Sequence, residues 1–250
     1  MRISGERVSS PEGGFKPTWE RHVAAYAAAA ELLPPGGTVL DLGCGVGHSY
    51  HLLAPRVTVG VDVAADALEG QDRHTIVADI RALPLPAASF ASVVSVQSIE
   101  HLPDPERALA EVRRVLEPGG TAIFVTPNRL TFGRPEEIID PYHEIEYDQH
   151  QLRALCERFF DSVELQGLFG SERYLAVIAR ERRRLDRLLR RDPLRLRRFV
   201  PRALRKRLYD LQLRRERSQA PPEAAAIELD DFEVRDGPLD EALDLVAVCH

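Results

Sequence analysis

The segment that most constrains the fold is VLDLGCGVG at residues 39–47, a short apolar run that ends in a glycine-rich turn. Glycines let the backbone approach a ligand closely, and the unpaired amide groups at the start of a following helix can bind polar ligand groups. The next apolar run, VGVDV, ends near Asp62, 21 residues after Asp41. An acid in that position accepts hydrogen bonds from ribose hydroxyls in dinucleotide-binding folds. Together these features predict a nucleoside-binding site.

Short β-branched runs alternate with helical segments along most of the chain. The predicted helices are residues 18–33, ERALAEVRRVLEPGG up to Pro118, and residues 148–160, with HSYHLLA as a further helical stretch after the glycine turn. The predicted strands are, in order, TVLDLG, VTVGVD, TIVADI, ASVVSVQS, TAIFVTP, SVELQGLF and ALDLVAVCH. This alternation predicts βαβ units and a parallel sheet with both faces covered. We therefore expect an α/β fold with a doubly wound, Rossmann-like sheet of seven strands.

The composition favours a soluble globular chain. Of the 250 residues, 44% are hydrophobic and 29% are charged. No apolar run approaches the roughly 20 residues that a membrane helix needs, and the N-terminus lacks the apolar core of a signal peptide. The three cysteines, Cys44, Cys156 and Cys249, form neither a metal-binding pattern nor a disulfide framework. We therefore expect a reducing, cytoplasmic location.

The net charge of −6 hides a strongly basic segment at residues 180–217. This segment holds 16 Arg and one Lys against 5 acidic residues, a local charge of +12, whereas 1–179 carries −10 and 218–250 carries −8. Leucines recur among the arginines at helical spacing. We therefore divide the chain into a core at 1–179, a basic helical insertion at 180–217 before the last strand, and an acidic connector with the final strand at 218–250.

Several segments beyond the glycine turn resemble class I S-adenosylmethionine (SAM)-dependent methyltransferases, in the large family that includes the ubiquinone and menaquinone methyltransferases. The resemblance covers roughly residues 18–170 and is carried by VLDLGCGVG, VGVDV, VADIRALPLPAASFASVVS, IEHLPDP, EVRRVLEPGG and TAIFVTPN. The G-x-G-x-G spacing also differs from the G-x-G-x-x-G of NAD sites, which disfavours an NAD oxidoreductase. The resemblance implies that SAM is the cofactor.

The resemblance also implies which residues bind SAM, at the ends of the first four strands. They are Asp41, Gly43 and Gly45 at its amino-acid end, Asp62 at its ribose, Asp79 beside Ile80 at its adenine, and Gln97 near its sulfonium. Simpler alternatives stay open for two of them. Asp79 could cap a turn, and Gln97 could be solvated.

Two polar clusters follow strands four and five, where the reacting groups of such folds lie. They are QSIEH at 97–101 and DPYHEIEY at 140–147. Methyl transfer from a sulfonium is an in-line displacement, so the protein must align and deprotonate the acceptor. A histidine suits deprotonation near neutral pH, and a bound cation makes an acceptor hydroxyl more acidic. Both clusters are therefore candidate catalytic sites.

The clusters resemble a pattern in metal-assisted O-methyltransferases, which include ubiquinone-biosynthesis enzymes and small-RNA 3′-terminal 2′-O-methyltransferases. In that pattern Glu-x-x-Glu-His follows strand four and a later His completes the ligand set. Glu100, His101 and His143 match three ligands. Gln97 replaces the first glutamate, and an amide oxygen is a weaker ligand for Mg²⁺ than a carboxylate. That departure counts against a metal.

Three interpretations of these residues stay open. Glu100, His101 and His143 could hold Mg²⁺ or another divalent cation, or His101 or His143 could act as a base without a metal. In the third interpretation, Glu100 and His101 only start a helix or form local hydrogen bonds. The first interpretation makes Glu100, His101 and His143 the candidate catalytic and metal-binding residues, and the second makes His101 or His143 the candidate base.

The segments TPNR at 126–129 and DPYHEIEY at 140–147 give a closer resemblance to bacterial methyltransferases associated with cell-surface or storage glycan synthesis. This resemblance implies a hydroxyl of a sugar, a glycan or a small hydroxylated metabolite as the acceptor. A lipid, a quinone or an RNA 2′-hydroxyl are alternative acceptors. The alternative to an enzyme is a scaffold that binds SAM without catalysis.

The basic segment has three candidate roles: a solvated face of the insertion, a lid that holds an anionic acceptor, and a contact with an anionic membrane. The last would make the protein peripheral at the inner membrane face. Aromatic residues are sparse in the segment, with only Phe199 and Tyr209. Few stacking platforms are therefore present, which disfavours a nucleic-acid partner.

Overall fold

The computed structural model describes residues 15–132, 137–189, 199–217 and 222–250. The helices are α1 Lys16–Leu32, α2 Ala65–Leu68, α3 Pro105–Val115, α4 Arg129–Phe132, α5 Gln149–Cys156, α6 Glu172–Leu189 and α7 Arg202–Arg217. The strands are β1 Thr38–Leu42, β2 Val57–Asp62, β3 His74–Val77, β4 Phe90–Val96, β5 Leu116–Pro127, β6 Val163–Gly170, β7 Phe232–Arg235 and β8 Asp244–Cys249.

The strands form one sheet in the order β3-β2-β1-β4-β5-β8-β6-β7. Neighbouring strands from β3 to β5 are parallel, whereas β8 runs antiparallel to β5 and β6, and β7 antiparallel to β6. The doubly wound fold is confirmed, but the sheet is mixed and has eight strands instead of seven. The additional strand, β7, is the four-residue edge segment FEVR with alternating exposure. So short a run in an acidic stretch carries little strand signal.

The core lies on both faces of this sheet, because successive side chains of a strand point to opposite sides. On β4, Val93 packs in one cluster with side chains of α3 and α5. The adjacent Val94 packs in the other cluster, with side chains of α1. Both residues are fully buried. Burial on both sides explains why the strands are continuous apolar runs.

Two local elements differ from the sequence-based expectation. The segment predicted as a helix after the glycine turn is a single 3₁₀ turn, Tyr50–Leu53, and Pro55 follows it closely, where a helix could not continue. Helix α3 ends at Val115 and not near Pro118, because Leu116 is already extended and pairs with Phe90 of β4.

Helical structure in the basic segment is confirmed where the structure describes it. The segment contains the second half of α6 and all of α7, which begins directly after Pro201. Residues 190–198, which include Pro193, lie outside the described residues. Within the described ranges, no helix combines the length and the apolar character needed to cross a bilayer.

Candidate functional site

The carboxyl ends of β1 to β4 open into a cavity of about 260 Å³. Six of the seven residues that the resemblance assigns to SAM line this cavity: Gly43, Gly45, Asp62, Asp79, Ile80 and Gln97. The seventh, Asp41, is fully buried and is not part of the lining. The sheet topology thus brings together residues that are spread over four strand ends.

Asp41 contacts the cavity wall through Tyr26. The hydroxyl of Tyr26, which lines the cavity, donates a 2.9 Å hydrogen bond to Oδ1 of Asp41. Arg73 forms a 2.9 Å ion pair with Oδ2 of the same carboxylate. Burial raises the pKa of Asp41, and Arg73 and Tyr26 oppose that shift. Asp41 therefore positions Tyr26 in the cavity wall.

Asp62 joins the glycine turn to the end of β2. Its Oδ2 accepts a 2.9 Å hydrogen bond from the Gly45 amide, and its Oδ1 accepts one of 2.8 Å from the Ala64 amide. A carboxylate has about four acceptor positions, so each oxygen can also accept a ribose hydroxyl. Gly45 has a φ of +52°, and a Cβ built there meets no atom within 4 Å. The turn therefore leaves open space beside the carboxylate, which fits a bound nucleoside.

Asp79 lies at the rim of the cavity beside Arg81. The carboxylate accepts a 2.7 Å hydrogen bond from Nη2 of Arg81 and a 2.9 Å bond from the Arg81 amide. The side-chain hydrogen bond with Arg81 lowers the pKa of Asp79. Asp79 thus caps a local turn, as one alternative expected, and also lines the cavity.

Gln97 is held by charged groups on β8 and α1. Its Nε2 donates a 2.8 Å hydrogen bond to Oδ1 of Asp244, and Arg21 donates at 2.6 Å to each oxygen of that buried carboxylate. Gln97 also adopts a φ of +50°. Because a carboxylate only accepts hydrogen bonds, Gln97 must present its NH₂ group to Asp244 and turn its carbonyl oxygen elsewhere. Gln97 is therefore not simply solvated.

Glu100, His101 and His143 come together beside this cavity, which His101 also lines. Each offers one ligand atom, and these atoms all lie within 4.8 Å of one another. Glu100 and His101 occupy a 3₁₀ turn after β4. The amides of Glu144 and Ile145 donate hydrogen bonds of 2.8 and 3.1 Å to the carbonyl of Glu100. These bonds hold the distant segment that carries His143 against the turn.

Hydrogen bonds orient both imidazoles of this group. Nδ1 of His101 lies 3.2 Å from the Tyr142 carbonyl oxygen, and Nδ1 of His143 lies 3.0 Å from Oε1 of Glu146. The two rings meet edge to face with centroids 5.1 Å apart. Each imidazole is thus fixed through Nδ1, the arrangement that orients metal-ligating histidines.

The carboxylate of Glu100 is only partly satisfied. Thr126 donates a 3.1 Å hydrogen bond to its Oε2, whereas its buried Oε1 has no partner among the residues that the structure describes. Burial raises the pKa of Glu100, against the effect of both histidines. For His143, burial alone would lower the pKa, but the hydrogen bond that its ring donates to Glu146, together with nearby carboxylates, raises it. The neighbouring carboxylates therefore stabilise a positive charge on His143.

Side chains of α1 and of the glycine turn also line the cavity. Burial lowers the pKa of His22 to about 4 and that of His48 to about 3. The ring of His48 lies 4.4 Å from that of Trp19. Both histidines are therefore neutral near pH 7. Sequence reasoning did not assign these residues to the site, although His22 and Tyr26 recur on one face of α1.

Comparison with known proteins agrees with this geometry. A family model described as a methyltransferase domain matches residues 40–124. A probable SAM-dependent methyltransferase of Mycolicibacterium smegmatis is 31% identical over 99% of this chain and 94% of its own length. The 2-methyl-6-phytyl-1,4-hydroquinone methyltransferase of Synechocystis is 33% identical over 59% of this chain and 51% of its own.

A solved structure supports the same fold. The SAM-dependent methyltransferase of Thermotoga maritima aligns with a TM-score of 0.62 and 17% identity, over 94% of this chain and 93% of its own. The relative of M. smegmatis, similar over nearly the full length of both chains, establishes the family. The chain therefore belongs to the class I SAM-dependent methyltransferases, and SAM is its methyl donor.

Proposed function

We propose that the protein transfers the methyl group of SAM to a hydroxyl oxygen of a sugar, a glycan or another small hydroxylated metabolite, assisted by a divalent cation. The observation that carries this proposal is the grouping of Glu100, His101 and His143, whose ligand atoms all lie within 4.8 Å of one another. His101 also lines the cavity that contains the cofactor residues. A cation held there is adjacent to the methyl donor.

The residues present fit a cation. Glu100 offers a buried Oε1 without a protein partner among the described residues, and both imidazoles are fixed through Nδ1. Two imidazoles and one carboxylate suit a first-row transition cation better than Mg²⁺, which prefers oxygen ligands. When bound, such a cation lowers the pKa of a hydroxyl that it contacts.

The remaining residues of the site bind and align the methyl donor. Asp62 and the open turn at Gly45 would hold the ribose and amino-acid end of SAM, and the hydrogen bond of its amide turns the carbonyl oxygen of Gln97 away from Asp244. In the displacement, the acceptor hydroxyl gives up its proton to solvent and its oxygen forms a bond to the methyl carbon. The carbon–sulfur bond breaks, and its electron pair stays on the sulfur of S-adenosylhomocysteine. Alignment of these atoms supplies much of the rate enhancement.

The hydroxyl acceptor is supported by the two segments that resemble glycan-associated methyltransferases. The structure joins TPNR and DPYHEIEY, because Asn128 and Tyr147 form a bridge between them. A cation site also serves a hydroxyl, whose pKa is too high for easy deprotonation near pH 7.

A metal-free reaction is the second candidate, favoured by the 3.0 Å hydrogen bond between His143 and Glu146. In that reaction His143 accepts the hydroxyl proton and Glu146 stabilises the imidazolium, as in other histidine bases oriented by a carboxylate. The two candidates predict opposite effects of a chelator.

Transfer of labelled methyl from SAM to a panel of sugars, glycans and small hydroxylated metabolites tests the proposal. We expect EDTA to abolish transfer, Mn²⁺ to restore it, and His143→Ala to abolish it while SAM still binds. His150→Ala, which changes an exposed histidine, is the matched control and should keep full activity. Full activity in EDTA would rule out the role of the cation. No transfer to any member of this panel, with transfer to amines assayed beside it, would rule out a hydroxyl acceptor.

A further inference from the structure

Helix α7 contacts the rest of the protein through a polar face. The hydroxyl of Tyr209 donates a 2.7 Å hydrogen bond to Asp140, and the hydroxyl of Tyr142 donates one of 2.9 Å to Asp210. The ammonium of Lys206 lies 4.3 Å from the centroid of the Tyr142 ring. Hydrogen bonds and charge therefore hold this helix against the segment that carries the second histidine of the candidate site.

The opposite face of α7 carries exposed leucines. Leu204, Leu208 and Leu211, which we call the leucine stripe, recur at intervals of four and three residues and so share one side of the helix. They are 47%, 54% and 62% exposed, and Phe199 just before the helix is 84% exposed. A surface helix normally turns such a stripe toward the core. In α7 the orientation is reversed, which marks an interaction surface.

Cationic side chains border the leucine stripe. By helical spacing, the exposed Arg207 lies on one side of it and the half-buried Arg205 on the other. The whole segment 180–217 carries a charge of +12. An apolar stripe flanked by arginines is the composition of a helix that lies in the interface of an anionic bilayer, with arginines at the headgroups.

We propose that the outward face of α7 docks on an anionic lipid bilayer, with the leucine stripe and Phe199 at the boundary between headgroups and acyl chains. A second copy of the chain is a poorer occupant, because a two-fold contact through this face would oppose two segments of +12. A nucleic acid is also poorer, since leucines neither stack on bases nor bind phosphates.

Docking in this orientation brings the candidate active site close to the lipid surface. Nε of Arg202 donates a 3.0 Å hydrogen bond to the Pro141 carbonyl oxygen, and the adjacent Tyr142 carbonyl accepts a hydrogen bond from His101. The backbone at residues 141–142 and the side chain of His101 thus lie between α7 and the cavity. This placement suits an acceptor held at the membrane surface. That use of the site rests on the proposed function, whereas binding of α7 to the bilayer does not.

Flotation with lipid vesicles tests the docking without any acceptor. The probes are vesicles of phosphatidylcholine alone and vesicles of phosphatidylcholine mixed with phosphatidylglycerol. We expect the full chain to bind only the anionic vesicles, and raised salt to weaken the binding. The triple variant L204S/L208S/L211S should bind them at least about tenfold more weakly.

The matched control is V57S/V77S/L229S, which replaces three exposed apolar residues outside α7 and should bind like the unaltered chain. Circular dichroism checks that both variants keep their helical content. Failure of the unaltered chain to bind anionic vesicles, or equal binding to neutral ones, would overturn the proposal. Undiminished binding of the leucine variant to anionic vesicles would also overturn it. This holds even if the variant loses self-association, which would instead point to a second copy of the chain on this face. Methyl transfer in solution is measured separately, so either proposal can fail alone.

Discussion

The amide of Gln97 donates a 2.8 Å hydrogen bond to the buried carboxylate of Asp244, and this contact explains a departure from the metal-assisted pattern. That pattern has a glutamate where this chain has Gln97. Here a glutamate would place a second carboxylate against Asp244, with Arg21 as their shared cation. Asp244 thus selects an amide at this position, and the candidate cation ligands are the other three residues.

Replacement of Gln97 by glutamate should weaken SAM binding at least about tenfold, equivalent to about 1.4 kcal/mol. Like charges at hydrogen-bond distance in a buried site repel strongly, so the side chain must move within the cavity wall. Calorimetric titration with SAM measures the change. Removing the opposing charge in Q97E/D244N should recover part of the affinity for SAM, and the double-mutant cycle measures how strongly the two positions are coupled. Unchanged SAM affinity in Q97E would contradict this role of Asp244.

Asp62→Asn should weaken SAM binding by about 2 kcal/mol or more, roughly thirtyfold. The carboxylate accepts the Gly45 and Ala64 amides and has acceptor positions left for the ribose, whereas an amide offers one oxygen. The control is Asp66→Asn, a change at an exposed acid on the following helix. Equal SAM affinity of both variants would show that Asp62 does not contact the ribose.

The grouping of the residues assigned to the cofactor around one cavity was predictable, because they follow strand ends in short motifs. Gly45 and Asp62 are examples, since their spacing alone indicates a turn against a nucleoside. Tyr26 and Arg73, which hold Asp41, were not predictable. They come from α1 and from the residue before β3, and no local spacing connects them to the glycine turn.

The acceptor half of the site was likewise predictable only in part. His143 was assigned to one site with His101 only through a resemblance, because 42 residues separate the two histidines. Backbone hydrogen bonds to the Glu100 carbonyl bring the two histidines together. No periodicity in the sequence indicates that such bonds form. The contact of Asp244 with Gln97 was missed for the same reason, although its strand was predicted.

Tyr26→Phe should lower the free energy of unfolding by about 1–3 kcal/mol, because it removes a hydrogen bond to the fully buried Asp41. Urea denaturation measures the change. Tyr50→Phe is a suitable control, since the Tyr50 hydroxyl makes only an exposed 3.3 Å contact with a backbone carbonyl. A loss as small as that of the control would mean that Tyr26 does not stabilise Asp41.

The stability of the fold should fall on mild acidification through His48. Burial lowers its pKa in the folded state to about 3, below the value of about 6.5 for an exposed histidine. The unfolded chain therefore takes up a proton first, and stability is lost as the pH falls from about 6.5 toward 3. Between pH 7 and pH 5 this residue contributes a loss of up to about 2 kcal/mol.

Urea denaturation at both pH values measures this loss, which His48→Gln should reduce. His150→Gln, at an exposed position, should behave like the unaltered chain. An equal loss of stability in all three proteins would show that His48 is not the group responsible.

Direct titration of the protein with Mn²⁺ is the measurement that tests the cation-assisted account most closely. Calorimetry should detect a single site in the unaltered chain, no site in H143A or E100Q, and the original affinity in H150A. The grouping of Glu100, His101 and His143 within 4.8 Å predicts that result. Absence of Mn²⁺ binding in the unaltered chain would contradict it. So would Mn²⁺ binding by H143A and E100Q that is as tight as that of the unaltered chain.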